Sequence, residues 1–211
     1  MKAAPHNYNN DWNLEGFSAK EFDVTIESKT VPNARAIRFD GKTNMQKMLR
    51  REKADQLIPK LPEPGEVIHL ISNGEFDYWD VIADAIKKLG PCHFHGSTWT
   101  MNRRIALEIL AMLDDGRLLS CCLITGIYFK RRETAVYATI ASGLLERRQK
   151  FRALETHAKI ACLSDTQQFI VFEGSANFTA NPRIENNILA NHEGLYHFHR
   201  EWIEEAATAQ D

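Results

Sequence analysis

His157-Ala158-Lys159-Ile160-Ala161-Cys162-Leu163 runs into a polar turn, Ser164-Asp165-Thr166-Gln167-Gln168. Phe169-Ile170-Val171-Phe172-Glu173-Gly174-Ser175-Ala176-Asn177-Phe178-Thr179 follows. Two short apolar runs separated by a polar turn predict adjacent strands, over 158–163 and 169–172. Side chains alternate along a strand, so His157 and Lys159 are expected on one face, with Ala158 toward the core. Gly174 stands where the second strand ends, and a glycine there permits a sharp turn and close backbone approach to a ligand. Ser175 and Asn177 then offer hydrogen-bond donors, and Lys159 a positive charge. The two halves of the hairpin bring together an imidazole, a cation and small polar groups, the parts of a phosphodiester-handling site.

Outward from this stretch, strand and helix patterns alternate. Upstream, strands are expected over 67–71, 92–100 and 118–129. Helices are expected over 78–89, 102–113 and 135–148, with Asn102 as an N-cap and Gly90-Pro91 as a stop signal. Downstream come a strand over 188–190 and a helix over 193–207. This alternation predicts an α/β sandwich with a central mixed sheet. Residues 1–64 read differently. They are polar and rich in Asn and Lys, with a possible strand over 36–39 and a helix over 43–57. Pro59, Pro62 and Pro64 then break the chain. The expected division is an N-terminal extension, 1–64, and a main domain, 65–211.

The chain has 211 residues, 44% hydrophobic and 26% charged, with a formal net charge of −2. A core of ordinary size follows. Any attraction for nucleic acid must come from local positive potential. The candidates are Arg103-Arg104, Lys130-Arg131-Arg132 and Arg147-Arg148-Gln149-Lys150, which read equally as solvated helix ends. Trp99 is open between lining a cleft, where it would stack on a base, and packing in the core. His197, His199 and Trp202 read as packing residues of the last helix. No apolar segment precedes the first polar residues as a secretory signal would, and no run is long enough to span a bilayer. Cys92, Cys121, Cys122 and Cys162 form no Cys-x-x-Cys pair, so buried reduced thiols and a cytoplasmic setting are expected. A zinc site from Cys92, His93 and His95 fits no standard ligand spacing.

His157-Ala158-Lys159, Gly174-Ser175-Ala176-Asn177-Phe178-Thr179 and Glu185-Asn186 together resemble the signature of the phospholipase D superfamily. The chain is most similar to the small bacterial endonucleases with one signature copy. The resemblance spans roughly residues 66–203 and includes Ser97-Thr98-Trp99-Thr100, which matches the first strand-helix-strand unit of that fold. It implies a phospholipase-D-like αβα sandwich. It also implies His157 as nucleophile or acid, and Lys159, Ser175 and Asn177 as holders of the phosphoryl oxygens. Glu185 would orient the imidazole, and Ser97 and Trp99 would line the cleft. No metal or cofactor is implied, since a covalent histidine replaces a metal-activated water. Ser164 stands where the family has an aspartate, with Asp165 one position later.

The mechanism of that family needs two histidines, and this chain carries one signature. A homodimer sharing one cleft is therefore expected. The implied function is a metal-independent phosphodiesterase, a nuclease on DNA or RNA acting through a phosphohistidine. The alternative is a nucleic-acid-binding protein of the same fold with weak or no catalysis. A lipid phosphodiesterase is disfavoured, because no membrane-binding stretch is present.

Overall fold

The computed structural model describes residues 52–74, 76–179 and 183–209. The expected strand over 36–39 and the first part of the helix over 43–57 lie outside them. Residues 52–57 are helical. From there the order is β1 (Val67–Ser72), α1 (Tyr78–Leu89), β2 (Cys92–Thr98), α2 (Arg103–Asp114), β3 (Leu118–Gly126) and α3 (Ile127–Arg132). Then come α4 (Thr134–Glu146), β4 (Lys150–Leu154), β5 (Ile160–Ser164), β6 (Phe169–Gly174), β7 (Glu185–Asn191) and α5 (Glu193–Thr208).

The fold is mixed α/β. Seven strands form one sheet in the order β1-β7-β6-β5-β2-β3-β4. β2, β3 and β4 run parallel, and the remaining pairings are antiparallel. Parallel pairs need a crossover, which α2 supplies between β2 and β3, and α3 with α4 between β3 and β4. β5 and β6 form the expected hairpin through the turn at 165–168, where Asp165 Oδ1 accepts from the N–H of Gln167 (2.9 Å) and Gln168 (2.7 Å).

The sheet is covered on both faces, and the period of two sorts its residues. Leu123, Ala161, Leu163, Ile170 and Phe172 join the larger core with Trp79, Ile82, Ile109 and Leu144 of the helices. Their neighbours Cys122, Ile124, Cys162 and Val171 join a second core with Tyr196 and Ile203 of α5. All four cysteines are free and buried. His199 and Trp202 pack as expected: His199 Nε2 pairs with the Glu173 carboxylate, and Trp202 Nε1 donates to His199 Nδ1 at 2.9 Å.

Four elements depart from the sequence reading. The apolar run from Leu118 leaves the sheet at Gly126, and Ile127–Arg132 turns into α3. Hydrophobicity alone cannot place that change, because a buried strand and a buried helix turn read alike. β4 carries no sequence signal, because its five residues are at best half-buried and follow a charged turn. β7 starts at Glu185, earlier than its apolar part suggests. β5 starts at Ile160, so His157, Ala158 and Lys159 precede the strand.

Residues 52–64 lie against the sheet domain. Ala54 and Ile58 are buried in the larger core. Asn191 Nδ2 donates to the Pro62 carbonyl at 2.9 Å, and Lys88 Nζ pairs with Asp55 at 2.8 Å.

Arg104 is not the solvated helix end that its sequence context suggests. It pairs with Asp77, with Asp80 Oδ1 at 2.8 Å and with Glu108 Oε2 at 3.5 Å. Asp77 and Asp80 are fully buried and cap α1 through reciprocal side-chain bonds. Burial raises the Asp80 carboxyl above its usual range, against the opposing pull of the Arg104 guanidinium. Removing the cation takes the shared partner from three buried carboxylates, Asp77, Asp80 and Glu108. Arg104→Ala is therefore expected to cost about 3–5 kcal/mol, read as a lower thermal or urea midpoint. Arg103→Ala on the same turn should change it little.

Candidate functional site

Three strand ends meet at one end of the sheet, on the interior strands β5, β6 and β7. Ile160 faces Glu173 across the β5–β6 ladder, and Gly174 faces Asn187 across β6–β7. The Gly174 N–H donates to the Lys159 carbonyl at 3.3 Å, so the residue before β5 and the last residue of β6 lie side by side. Gly174 is required by packing. A Cβ there would sit 2.7 Å from the Asn186 carbonyl oxygen and 2.8 Å from the Asn187 Cα.

The segment after Gly174 keeps an in-out alternation although it is not a strand. Ala176 and Phe178 are buried in the larger core. Ser175, Asn177 and Thr179 are the alternate residues. Several bonds fix the segment. The Ala176 N–H donates to Asn187 Oδ1 at 3.3 Å, and the Phe178 N–H to Thr98 Oγ1 at 3.2 Å. Asn102 Nδ2 reaches Thr179 Oγ1 at 3.3 Å while its Oδ1 caps α2 by accepting from the Ile105 N–H at 3.1 Å. Thr98 and Asn187, both almost fully buried, are positioning residues that the sequence reading missed. A polar side chain within a strand carries no signal until the loop it holds is known.

His157 is exposed and Lys159 is buried. Lys159 Nζ lies 2.9 Å from His157 Nδ1 and donates to the His157 carbonyl at 2.7 Å. At Nδ1 the imidazole thus meets the ammonium. A charged lysine can only donate, so this contact makes Nδ1 an acceptor and leaves the proton of a neutral ring on Nε2. Ser97 Oγ donates to the Ala158 carbonyl at 3.0 Å and lies 3.5 Å from Thr156 Oγ1. It braces the segment carrying His157 and does not face an open cleft: Ser97 is fully buried. Trp99 is half-buried, its ring centroid 5.9 Å from that of His157. The two rings border a recess of about 360 Å³ together with Ile127, Tyr128, Glu155 and Thr156.

Glu185 begins β7 and accepts from the Ser175 hydroxyl. Ser175 Oγ in turn accepts from the Asn186 N–H at 3.1 Å. Burial lowers the Lys159 pKa below the usual lysine value, and the Glu185 charge pulls it back up. Asn177 Oδ1 is buried and has no hydrogen-bond partner among the described residues. Such an atom costs stability unless something else satisfies it. A half-desolvated ammonium, an exposed imidazole, a hydroxyl and an amide therefore share this end of the sheet, with one carboxylate nearby. The set can bind a tetrahedral anion and exchange a proton with it.

The other features singled out by sequence lie elsewhere. His93 Nδ1 lies 2.7 Å from Ser120 Oγ, and His95 Nε2 lies 2.8 Å from Glu204 Oε1. Among the described residues no group of three or more His, Cys, Asp or Glu side chains is placed to hold a metal. No described helix is long and apolar enough to cross a membrane. Arg147 pairs with Asp114 at 2.7 Å. Lys130, Arg131 and Arg132 lie on α3, beside the recess.

No protein-family model matches the chain, and no curated protein matches it. Among solved structures it is similar to TrmBL2, an archaeal DNA-binding chromatin protein, at 12% identity and a TM-score of 0.45. The match covers 78% of this chain and 60% of that one.

Titration of Lys159 tests the electrostatics. The buried ammonium should titrate below 10.5 by NMR, and Glu185→Gln should move it lower still. In the unfolded chain Lys159 then holds its proton to higher pH than in the folded one. Its contribution to stability therefore rises as pH climbs from the folded value toward 10.5. A pKa unchanged by Glu185→Gln would mean that the carboxylate does not act on Lys159.

Proposed function

We propose that the chain is a phosphodiesterase of the phospholipase D type that cleaves nucleic acid without a metal ion, working as a homodimer. The observation that carries this reading is the approach of Lys159 Nζ to His157 Nδ1 at 2.9 Å beside the Ser175–Asn177 segment. A structural lysine would find a carboxylate or solvent. Here the ammonium is buried against an imidazole that opens to the cleft, an arrangement that costs stability and suits an anionic ligand.

The chemistry divides between two imidazoles. One Nε2 lone pair attacks phosphorus, forming the N–P bond as the P–O bond breaks. The second imidazole protonates the departing oxygen. Water then attacks phosphorus, gives its proton to that second imidazole, and the N–P bond breaks. Lys159, Ser175 and Asn177 hold the non-bridging oxygens as charge builds. With Nδ1 accepting from Lys159, a neutral His157 presents Nε2–H; to serve as the acid it takes a second proton at Nδ1, as imidazolium, with Lys159 turned from the ring to the phosphoryl oxygens. The nucleophilic copy needs the opposite tautomer, so the two subunits of the dimer hold their imidazoles differently when substrate is bound. Glu185, joined to Ser175, is the nearby acceptor that a shifted Nδ1–H would find.

The second reading is a nucleic-acid-binding protein of the same architecture without turnover. One observation favours it: this chain presents a single imidazole at the site, already occupied at Nδ1 by an ammonium. Binding needs Lys159 and the basic α3, and does not need a nucleophile.

Hydrolysis of bis-p-nitrophenyl phosphate and of a labelled oligonucleotide in excess chelator separates the two. The proposal predicts activity that resists chelation, falls at least a thousandfold in His157→Ala and is seen only in the dimer. Equal rates for wild type and His157→Ala, or full activity from a monomer, would refute it. Binding without hydrolysis of either substrate would establish the second reading.

A further inference from the structure

α3 leaves β3 at Gly126 and carries Tyr128, Lys130, Arg131 and Arg132 past the mouth of the site. Tyr128 is 54% exposed, a large ring with little to pack against. The Arg131 guanidinium lies 5.9 Å from the Tyr128 ring centroid, and the Arg132 guanidinium 6.0 Å from that of Trp99. Arg131 and Arg132 are exposed and form no ion pair among the described residues. Trp99 and Tyr128 also divide two hollows. One, of about 360 Å³, reaches His157, and the other, of about 160 Å³, reaches Thr100 and Arg132.

The position of Trp99 is built into the backbone. A Cβ on Gly126 would lie 2.4 Å from Trp99 Cδ1 and 2.9 Å from the Trp99 carbonyl oxygen. The indole therefore rests against the end of β3 only because residue 126 has no side chain. A ring held in this way loses little freedom when a flat ligand stacks on it.

Resting on the phosphodiesterase reading, we infer that the site takes single-stranded nucleic acid, with bases stacked on the Trp99–Tyr128 wall and flanking phosphates on Arg131 and Arg132. Charge and shape both select this occupant. Alternating aromatic and guanidinium groups suit a strand whose bases and phosphates alternate. In a duplex the base faces are covered by their neighbours, so the wall has nothing to stack on unless a base leaves the helix. Glu155, on the rim of the larger hollow, is an acceptor for the exocyclic amino group of a stacked base.

Equilibrium binding tests this independently of cleavage. Fluorescence anisotropy with a labelled oligothymidylate and with a duplex of equal length is measured in chelator, using the His157→Asn chain so that no strand is cut. Wild-type residues at the wall should favour the single strand by tenfold or more. Tyr128→Ala should weaken single-strand binding roughly tenfold, since one stack is worth ~1–3 kcal/mol, leave duplex binding unchanged, and be rescued by Tyr128→Phe. Arg131→Gln with Arg132→Gln should weaken both ligands and flatten the salt dependence by about 0.7 per lost phosphate contact on the single strand. Tight duplex binding equal to the single strand, an equal loss on both ligands in Tyr128→Ala, or no binding of either would overturn the inference. Failure of the chromogenic diester assay, with these preferences intact, would overturn the enzymatic reading and not this one.

Discussion

Ile160 stands opposite Glu173, and that register places Lys159 beside Gly174 at the end of the hairpin. Every group at the candidate site depends on this alignment. Gly174 is the hinge from which Ser175 and Asn177 depart, and its pairing with Asn187 brings the start of β7 and Glu185 to the same end of the sheet. The register is held by what each face buries. Ala161 and Leu163 lie in the larger core, and Cys162 lies in the one beneath α5. A slip of one residue would exchange the two sets and pull Lys159 away from Gly174.

The same economy explains the segment 175–179. It has no ladder of its own, yet two of its side chains are core residues. Phe178 packs with its ring centroid 5.6 Å from that of Trp79 and 6.3 Å from that of Phe94. The apolar side fixes the polar side. Thr98 and Asn187 satisfy backbone donors that burial would otherwise leave unpaired. Two amide atoms here, Asn177 Oδ1 and Asn187 Nδ2, are buried with no hydrogen-bond partner among the described residues, beside the desolvated Lys159. Contrast the Arg104 cluster, in which three buried carboxylates each meet one shared guanidinium. One arrangement holds α1 to α2; the other gathers the groups of the proposed anion site.

Much of this was legible in the sequence. The helix Tyr78–Leu89 fell within its stop signal, Asn102 capped α2 as its residue type suggests, and the hairpin lay where two apolar runs met a polar turn. Spacing and resemblance point to His157, Lys159, Ser175, Asn177 and Glu185, and these residues stand at one end of the sheet. What escaped has physical reasons. Ile127, Tyr128 and Phe129 continue an apolar run, and only the tertiary contact of Trp99 with Gly126 shows why the strand ends there. β4 is half-buried and short, so its pattern is faint. Arg104 resembled its exposed neighbour Arg103, because sequence does not tell which turn of a helix faces two buried aspartates. The approach of Lys159 to His157 Nδ1 carries no signal in the spacing, because the four-carbon stem folds back two residues.

The proposed role stands on the imidazole acting as a covalent centre rather than as a surface side chain near a bound phosphate. Mass spectrometry of the peptide containing His157, after brief exposure to a diester substrate and an alkaline quench that preserves phosphoramidate bonds, addresses that directly. The account predicts a phosphoryl adduct on His157 that forms and decays with turnover and is lost in Lys159→Met. Cleavage of the diester with His157 unmodified throughout, or no adduct and no cleavage at all, would contradict it.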